Sequence, residues 1–576
     1  MKKNIVSLAF LAASFATPAL AQQTGCDVIK LNQVGYYPQQ EKMIVIEGNA
    51  SKVIVTDANG KTVAVGKRVA QTTSPISKKR RTTFDVSSIT APGTYTVKAG
   101  KQTATMFVSD HALDALGAAA IKSFYYQRTA MPLTKEFAGQ WARPAGHPDT
   151  NVMIHPAAAS SNRPAGTVIS SPKGWYDAGD YNKYVVNSAF SMGLMMAMYE
   201  LMPDYFAKQT VDIPEKGNAT PDLLDENMWN LDWLFTMQDV DGGAYHKLTT
   251  PSFEDFVKPT ECKQQRYMTQ KSTCATLDLA AIMAKCSRLY ANNTDYPGVD
   301  VRALNAAKMA YEWAKKNPTL YYEQDELNKK YEPKVSTGTY GDGKATDEFF
   351  WAAVELYLAT GEKQYLDDAV KYAPKQFGTP SWGDVAALGT YALATAKNLP
   401  AEAQQLKAQQ EQTILDYAKS VTSIDLAKTS FYSPYGNKAK DFYWGCNSEG
   451  CGAQGISLLF AYKLSGNADY LKNAYRDADY MLGRNATGYC YVTGFGEKSP
   501  MHPHHRLSES DGIVAPVPGL LVGGPNPGQQ DKPAATYASD YADESYSDST
   551  PSYASNEIAI NWSATLVAFI NGLIGM

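Results

Sequence analysis

The apolar residues of the chain follow two different periods, and the change from one to the other divides it into two parts. Residues 27–108 carry short alternating runs, such as 43–46 and 53–55, separated by turn residues at 57–60 and 91–93. Alternation of this kind predicts β-strands joined by tight turns. About eighty residues of such strands fit a small all-β sandwich. Few ionisable residues cluster there, so we expect this part to be structural.

From residue 112 onward, apolar residues recur every three or four positions, which is typical of helices with a buried face. Twelve segments show this period: 112–127, 182–200, 221–238, 273–291, 301–316, 346–360, 364–374, 383–397, 402–419, 452–465, 467–482 and 556–572. Twelve helices with as many connections predict six helical hairpins in a closed ring, with a cleft formed by the loops at one end. The same periodicity also permits an open helical solenoid.

Three long loops interrupt the helices, at 128–180, 241–270 and 483–555, and they are rich in Gly, Pro and aromatic residues. Loops of this length inside a compact domain are usually functional. We therefore expect them to contribute to the cleft.

Composition limits the classes of ligand. The 576 residues can bury a large core and suggest more than one domain. The net charge is −4, and the only basic cluster is Lys79-Arg80-Arg81, so we expect no nucleic-acid partner. Aromatic residues make up 11% of the chain, with 37 Tyr and 9 Trp. Flat rings with polar edges suit the binding of sugars.

Residues 1–21 have the pattern of a secretory signal peptide, with two lysines, an apolar run at 5–15 and small residues at 19–21. No later segment reaches about 18 uninterrupted apolar residues, so we expect no transmembrane segment. The mature protein should be exported, either to the periplasm or out of the cell. The alternative is a lipid anchor at the cell surface through Cys26, although Gln23 stands where such signals usually carry Leu.

Seven cysteines in an oxidising compartment permit disulfides without requiring them in a chain of this size. Cys446 and Cys451 are close enough in sequence to close a small loop. Cys262, Cys274 and Cys286 match no metal-ligand spacing. We expect most of the cysteines to be small core residues.

Two carboxylates stand out in the segment 174–184. Asp177 and Asp180 are separated by Ala and Gly, flanked by Tyr and Trp, and followed by helical periodicity from Val185. Small residues allow tight turns and close approach of a ligand, and a position near a helix N-terminus favours the ionised form of Asp180. An ionised aspartate among aromatic rings suits a general base that works beside a sugar. The alternative is a helix cap before a core helix.

A third carboxyl lies near the C-terminus. Glu557 opens an apolar helical segment that includes Ile558, Ile560 and Phe569. Desolvation by such neighbours raises the pKa of a carboxyl and keeps it protonated, as a general acid requires. Carboxyl groups whose pKa values are pushed apart are typical of glycoside hydrolysis. The alternative is a first-turn Glu stabilised by the helix dipole.

The loop before Glu557 carries the sequence Pro500-Met501-His502-Pro503-His504-His505-Arg506. Three histidines so close suggest zinc, but no matching set of Cys or Glu accompanies them. We expect His504 and Arg506 instead to make charge-assisted hydrogen bonds to sugar hydroxyls, or to hold a catalytic carboxylate in place.

Together these three segments resemble the family 9 glycoside hydrolases, inverting endoglucanases with an (α/α)6 barrel. The resemblance covers almost the whole mature chain. Residues 30–36, KLNQVGY, resemble the opening of an immunoglobulin-like domain that precedes the barrel in one branch of the family. Further similar stretches are 124–128, 222–226, 242–247, 347–351 and 444–445. The resemblance implies an immunoglobulin-like β-sandwich over 27–108 and an (α/α)6-barrel catalytic domain over 112–576, so that the chain is mainly α.

Position by position, the resemblance implies that Asp180 is the base that activates water, that Asp177 assists it and that Glu557 is the acid. Inversion requires the acid and base to stand roughly 6.5–9.5 Å apart, which leaves room for the water. Other residues implied at the substrate cleft are His504, Arg506, Asp548, Tyr553, His246, Trp382 and Trp444. For the two tryptophans, core packing is the alternative.

The chemistry of this family needs no cofactor, but some relatives bind structural metals. A structural calcium is suggested because four acidic residues match positions in calcium-binding relatives and are hard oxygen ligands: Asp342, Asp347, Glu348 and Asp384. The alternative is that they are acids at the starts of helices. Zinc-binding relatives carry cysteines where this chain has Thr129, Ala130 and Gly146. We therefore expect no zinc site despite His147.

The leading hypothesis is an exported endo-β-1,4-glucanase, or cellulase, that cleaves internal bonds of cellulose-like glucans, mixed-linkage glucans or xyloglucan. The first alternative is an exo-acting β-glucanase or glucosidase, because loops 128–173 and 483–545 are long enough to close one end of a cleft. The second is a glycan-binding protein on an inactive scaffold, and the presence of both Asp180 and Glu557 argues against it. The sequence does not specify the preferred glucan or the oligomeric state.

Overall fold

The computed structural model describes residues 25–576, so the predicted signal peptide lies outside the described residues. Eight strands between Ile29 and Val108 form two four-stranded antiparallel sheets. In spatial order they are Ile29–Lys30, Met43–Glu47, Arg80–Asp85 and Lys67–Thr73 in one sheet, and Thr62–Val65, Ile54–Thr56, Gly93–Ala99 and Gln102–Val108 in the other. Their inner faces share one core that includes Ile44, Phe84 and Val97. The predicted sandwich is confirmed.

All twelve predicted helices are present in the described part of the chain. They are Asp114–Gln127, Val185–Leu201, Asp222–Met237, Thr273–Leu289, Val299–Lys316, Thr346–Thr360, Lys363–Tyr372, Ala386–Thr395, Ala401–Thr422, Ala453–Ser465, Ala468–Met481 and Ile560–Gly575. Short helical turns also lie in the loops, at Lys135–Ala138, Pro203–Phe206, Gln324–Asn328, Arg506–Ser510 and Tyr553–Asn556.

The twelve helices alternate along the chain between an outer and an inner position. The six inner helices begin at Val185, Thr273, Thr346, Ala386, Ala453 and Ile560, and most of their residues are buried. A helix that is apolar all round must be covered on every side. Adjacent inner helices pack on one another, and the last packs on the first. The ring is therefore closed, and the open solenoid is excluded.

The structure also contains a small sheet that the sequence pattern did not predict. Its five strands, in spatial order, are Val168–Ile169, Val152–Ile154, Tyr267–Met268, Lys247–Thr249 and Lys183–Tyr184. The last two pair antiparallel, with Tyr184 opposite Lys247. The segment that follows Asp180 is thereby fastened to the loop that precedes the helix Thr273–Leu289.

The KLNQVGY segment joins the sandwich to the barrel. The Asn32 side chain donates to Asp479 Oδ1 at 2.9 Å, and the Gln33 side chain donates to the Gly488 carbonyl at 2.8 Å. Arg81 on the sandwich is fully buried and lies 3.6 Å from the Asp543 carboxylate. These buried polar contacts account for the polar residues in an otherwise apolar segment.

All seven cysteines lie in the described part of the chain, and all are free thiols. Cys446 and Cys451 point to different acceptors, the carbonyls of Pro525 and Asp477, each at 3.3 Å. Six of the seven are buried, as expected for small core residues. Among residues 25–576, no helix combines the length and the apolar character that crossing a bilayer requires.

Candidate active site

A cleft of about 770 Å³ lies at the end of the ring where the inner helices begin. Its lining comes from segments that precede inner helices: Asp177, Ala178, Asp180, Tyr184, Phe253, Gly338, Thr339, Tyr340, Trp382, Trp444, Glu449, His504, Arg506, Tyr553, Glu557 and Ala559, joined by Asn561 and Trp562 from the first turn of the last helix. Successive inner helices share one direction, so their N-terminal loops converge at one end. The predicted loop-built cleft is therefore present.

Backbone contacts bring three distant segments together at this end. Ala178 pairs with Ala559, and the Ile560 N–H donates to the Asp177 carbonyl at 2.7 Å. The Arg506 N–H donates to the Gly179 carbonyl at 3.0 Å. As a result, the carboxyls of Asp177, Asp180 and Glu557 all face the same cleft.

Gly179 makes this approach possible. A Cβ atom at this position would stand 2.1 Å from the His504 carbonyl oxygen. That oxygen belongs to backbone that pairs with Glu557, so it cannot move aside easily. The Ala-Gly spacer between the two aspartates is needed for close packing of the catalytic segments.

Asp180 is 5% exposed, and the protein holds its side chain through the carboxylate oxygen Oδ2. Its Oδ2 accepts from Asn182 Nδ2 at 2.7 Å and from the Tyr184 hydroxyl at 3.2 Å. Within residues 25–576, no hydrogen bond reaches Oδ1, so that oxygen is available to a molecule in the cleft. The helix begins only at Val185, and the dipole acts mainly within the first turn, so Asp180 lies outside the reach that the sequence analysis expected of the helix dipole.

Asp177 has both carboxylate oxygens engaged. Oδ1 accepts from Asn187 Nδ2 at 2.8 Å and Oδ2 from the Tyr340 hydroxyl at 2.7 Å. Burial, and then the charge of Asp180, raise the pKa of Asp177 well above its ordinary value, and the two hydrogen bonds oppose that rise. Tyr340 was missed by the sequence analysis, because nothing in its neighbourhood marks it as a partner of a residue 163 positions away.

Glu557 has the properties expected of an acid. Burial, and then the charge of Asp180, raise the pKa of Glu557 well above its ordinary value, while Arg506 and the Gly179 N–H oppose the rise. The helix begins at Ile560, three residues later, so Glu557 lies outside the first turn. The first-turn alternative is therefore wrong, whereas desolvation, the expected cause, is present.

Arg506 and His504 both line the cleft. The Arg506 guanidinium donates to the carbonyls of Glu254 at 2.7 Å and Gly179 at 2.9 Å, and it lies 4.9 Å from the centre of the Phe256 ring. His504 Nδ1 contacts the Thr550 carbonyl at 2.7 Å, and since a carbonyl only accepts, Nδ1 carries the proton. Burial lowers the pKa of His504 to about 4, so the ring is neutral at pH 7.

Aromatic rings form the walls of the cleft. Trp444 is 41% exposed, and its ring lies 5.4 Å from that of Tyr553. Trp382 stands edge-on to Tyr340 at 5.1 Å. Both tryptophans line the cleft, and Trp382 also packs against the hydrophobic core. Tyr184, Phe253, Glu449 and Trp562 are further lining residues that the sequence analysis did not assign to the cleft.

Two expected cleft residues lie elsewhere. Asp548 is not among the lining residues, and its carboxylate accepts the N–H groups of Met501 and His502 at 2.9–3.1 Å. His246 is 1% exposed, and its ring stacks on Tyr322 at 4.1 Å. Both expectations of substrate contact are corrected: Asp548 anchors the loop that leads to His504, and His246 belongs to the support of Tyr340.

That support is a pair of buried side chains behind the cleft. His246 Nε2 lies 2.8 Å from the Thr339 carbonyl, and Lys247 Nζ donates to the Gly338 carbonyl at 2.6 Å. Burial lowers the pKa of Lys247 to about 7, while the charges of Asp180 and Asp177 raise it. The two residues therefore hold the 338–340 segment whose end presents the Tyr340 hydroxyl to Asp177.

Trp175 and Tyr176 precede Asp177 and Asp180 in sequence but are not among the residues that line the cleft. Both are fully buried. The Trp175 indole donates to Glu226 Oε1 at 2.9 Å, and the Tyr176 hydroxyl lies 2.8 Å from His147 Nδ1. Burial lowers the pKa of His147 to about 2. The His147 ring therefore packs among buried aromatic side chains.

Buried acids cluster beside the cleft around Glu348. In the described part of the chain, Cys274, Asp342 and Glu348 have ligand atoms within 4.8 Å of one another. Both carboxylate oxygens of Glu348 and both of Asp278 are buried without a hydrogen-bond partner. Burial and the neighbouring acids raise the pKa of Glu348 and Asp278 well above their ordinary values. Such oxygens need either protons or a cation.

The four acids expected to bind calcium do not contribute equally. Asp342 and Glu348 belong to this cluster. Asp347 Oδ2 accepts from the Val385 N–H at 3.0 Å, and Asp384 is exposed. Asp278, which the sequence analysis missed, replaces them as a buried acid next to Glu348. Asp278 lies within the helix Thr273–Leu289, and no sequence motif marks an acid on the apolar face of a helix as a ligand.

Comparison with known proteins gives consistent results. The family model described as "Glycosyl hydrolase family 9" matches residues 114–570, and that described as "Cellulase N-terminal ig-like domain" matches residues 25–104. A Bacteroides ovatus protein described as a xyloglucan-specific endo-β-1,4-glucanase is 55% identical over 552 residues, which cover 95% of this chain and 94% of the relative. Endoglucanase D of Acetivibrio thermocellus is 32% identical over 561 residues, covering 95% and 83%.

One solved structure, titled "Bacteroides ovatus GH9", has a TM-score of 0.91 against this chain at 54% identity, and it covers 96% of this chain and 99% of its own. The similarity spans both the sandwich and the barrel. No large segment of the described chain falls outside it.

Proposed function

The chain belongs to glycosyl hydrolase family 9 and is an endo-β-1,4-glucanase, and we propose that xyloglucan is its preferred substrate. The observation that carries the family chemistry is the joint placement of Asp177, Asp180 and Glu557 in one cleft. The preference for xyloglucan rests on the 55% identity, over nearly the full length of both chains, to a relative described as xyloglucan-specific.

In the proposed reaction, Asp180 is the base and Glu557 is the acid. Asp180 takes a proton from a water molecule as the water oxygen bonds to the anomeric carbon. The bond from that carbon to the leaving sugar oxygen breaks, and Glu557 gives its proton to this oxygen. Proton exchange with solvent then restores both groups. The attack comes from the face opposite the leaving group, so the configuration inverts.

The contacts of the two aspartates support a division of roles. Asp180 keeps Oδ1 open toward the cleft, whereas both oxygens of Asp177 are already bonded to Asn187 and Tyr340. A carboxyl that is held on both oxygens is well placed to orient a water molecule but poorly placed to move. We assign Asp177 the role of positioning the water in line with the anomeric carbon.

The aromatic walls support binding of a glucan chain. Trp444 and Tyr553 form one surface, and Trp382 with Tyr340 forms another. Sugar rings stack on such faces through their C–H groups. His504, neutral with Nδ1 committed to Thr550, presents Nε2 as an acceptor for a sugar hydroxyl.

We further propose a structural calcium at the buried acids. The residues fit a hard cation, because ligand oxygens of Asp342 and Glu348 lie within 4.8 Å of one another, and calcium prefers oxygen ligands. Oδ2 of Asp342 and both carboxylate oxygens of Glu348 and of Asp278 are buried without a partner. The Cys274 thiol donates to the Lys344 carbonyl at 3.5 Å, which leaves it outside the proposed ligand set. The ion would neutralise the acids and tie the helix Thr273–Leu289 to the start of Thr346–Thr360.

Export to the periplasm or out of the cell stays a proposal that rests on the pattern of residues 1–21. Cell fractionation followed by N-terminal sequencing of the mature protein tests it. Cleavage near residue 21 supports a secreted form. Labelled fatty acid on Cys26 would support the surface-anchored alternative.

Product analysis tests the function. Xyloglucan and an unbranched mixed-linkage β-glucan are digested with the wild type, with Glu557→Gln and with the surface control Glu326→Gln, and products are separated by chromatography. We expect a mixed oligosaccharide ladder, faster on xyloglucan, and a fall of about 10²–10⁴ in rate for Glu557→Gln. A single dominant product would indicate exo action, and full activity of Glu557→Gln would exclude it as the acid.

A further inference from the structure

A second pocket, of about 460 Å³, opens beside the catalytic cleft. Residues that line it include Thr379, Tyr417, Ser420, Asn437, Tyr443 and Glu449. Its volume lies within the range of small-ligand sites, which is roughly 300–1,000 Å³. Glu449 also lines the catalytic cleft, so the two cavities meet at this carboxyl.

The wall between the cavities is a single stretch of chain. Tyr443 faces the side pocket and the next residue, Trp444, faces the cleft. Gly445 then turns the chain with a φ of 86°, and the π-helical turn Cys446–Gly452 carries Glu449 to the junction. π-helical turns occur frequently at functional sites. A side branch of a ligand in the cleft would therefore lie close to the side pocket where the two cavities share Glu449.

The Glu449 carboxyl has no partner of its own. Within residues 25–576, no hydrogen bond or ion pair to its side-chain oxygens is present, and burial alone raises the pKa of this carboxyl to about 7. Glu449 is half-buried, so its carboxyl is partly shielded from water and still open to a donor from the cavities. Sugar hydroxyls can act both as donors and as acceptors, so they can bond to this group in either protonation state.

The remaining lining combines aromatic rings and hydroxyl groups with the charged side chains of Lys438, Lys440 and Asp441. The Tyr443 ring is 37% exposed, and the Tyr417 ring is held in place by Phe377 at 5.2 Å between ring centres. Ser420 and Thr379 add hydroxyl groups at the edge. Partly exposed aromatic faces combined with a few polar groups are typical of sites for neutral sugars.

We propose that the side pocket binds a neutral sugar that branches from the glucan backbone in the catalytic cleft. Glu449 accepts hydrogen bonds from the hydroxyl groups of this sugar. The proposal rests on the proposed function and deepens it, because a branch pocket distinguishes xyloglucan, whose backbone carries xylosyl branches, from unbranched glucans. Because Glu449 lines both cavities, we favour a branch of the glucan in the cleft over a separate ligand.

Filling the pocket tests the proposal without touching the catalytic groups. Ser420 is exposed on the helix Ala401–Thr422 and lines the pocket, whereas its neighbour Lys419 is exposed and is not among the lining residues. Ser420→Trp is therefore compared with Lys419→Trp, and thermal unfolding confirms that both are folded. We expect Ser420→Trp to lower kcat/KM on xyloglucan about tenfold, which corresponds to 1.4 kcal/mol, and to leave mixed-linkage glucan hydrolysis unchanged.

Two results would overturn the proposal: an unchanged rate on xyloglucan, or an equal fall on both glucans. If the wild type hydrolyses neither glucan, the proposed function itself fails, so the two failures can be told apart.

Calorimetric binding to the Glu557→Gln protein provides a readout that is independent of turnover. The probes are a tetraglucoside with xylosyl branches and the unbranched tetraglucoside. We expect the branched one to bind more tightly, and Ser420→Trp to abolish that advantage. Equal affinities before the Trp substitution would contradict the branch pocket.

Discussion

The hydroxyl of Tyr340 donates a 2.7 Å hydrogen bond to Oδ2 of Asp177, and it does so from a left-handed backbone conformation with a φ of 43°. A bulky residue in this conformation costs free energy, of the order of 1–3 kcal/mol. The buried His246 and Lys247 hold the preceding carbonyls and so compensate for that cost. The orientation of one catalytic aspartate therefore depends on a loop whose anchors never contact substrate.

Tyr340→Phe removes this hydrogen bond together with the one that the Tyr340 hydroxyl accepts from Asn187 Nδ2 at 3.1 Å. Hydrogen bonds to charged groups contribute about 1.5–3 kcal/mol, so we expect kcat on xyloglucan to fall roughly 10–150-fold with little change in KM. Tyr391→Phe is the matched control, because its hydroxyl bonds to Ser457 between two inner helices, away from the cleft. An unchanged kcat for Tyr340→Phe would show that Asp177 does not need this donor.

Arg506 sets the upper pH limit of activity. Its charge lowers the pKa of Glu557, which burial raises. The acid must be protonated, so activity is lost as pH rises through the pKa of Glu557. Arg506→Gln removes the opposing charge, and we expect the alkaline limb of the kcat profile to move to higher pH. Arg506→Lys keeps the charge and should move it less. A limb that moves to lower pH, or not at all, would contradict the assignment.

Calcium removal should destabilise the protein. A bound ion at 100 times its Kd stabilises by about 2.7 kcal/mol, so we expect EGTA to lower the melting temperature by a few degrees and added calcium to restore it. Glu348→Gln should melt lower than the wild type in calcium. In EGTA the Glu348→Gln variant should melt no lower than the wild type, because the substitution removes one of the two buried carboxylates that lack a hydrogen-bond partner. Identical melting of the wild type with and without EGTA would exclude the site.

Gly179→Ala should disrupt the site by crowding alone. The new methyl would meet the His504 carbonyl at 2.1 Å, and overpacking of this kind costs about 1–3 kcal/mol. We expect a lower melting temperature and loss of most activity, measured by calorimetry and by reducing-sugar release. Gly378→Ala is the control, because its nearest neighbour would lie at 3.5 Å, an ordinary contact. Full activity of Gly179→Ala would mean that the segments containing Gly179 and His504 can move apart without loss of activity.

Inversion has its own signature. Proton NMR of the first product released from xyloglucan should show the α-anomer before mutarotation. The measurement needs high enzyme concentration and early time points. Initial β-anomer would refute the single-displacement mechanism and with it the roles of Asp180 and Glu557.

The sequence by itself determined the division of the chain into a β-sandwich and twelve helices, whereas the closure of the ring followed from tertiary packing. Its strand period ends near Val108 and its helical period begins near Asp114, and the segments buried on all sides became the inner ring. These features depend on local spacing, which the chain carries whatever its tertiary contacts. Asp177, Asp180 and Glu557 could also be found, because acids amid aromatic and aliphatic residues are unusual at the starts of helical segments.

Only the tertiary structure decided which side chains meet. Tyr340 reaches Asp177 across 163 positions, Asp278 faces Glu348 from a different helix, and Glu449 stands between two cavities. Conversely, His246 and Asp548 carry suitable chemistry but lie behind the cleft. Whether a loop residue faces the cleft or the core depends on the path of the backbone, which long-range hydrogen bonds set. The local sequence does not indicate which residues form those hydrogen bonds.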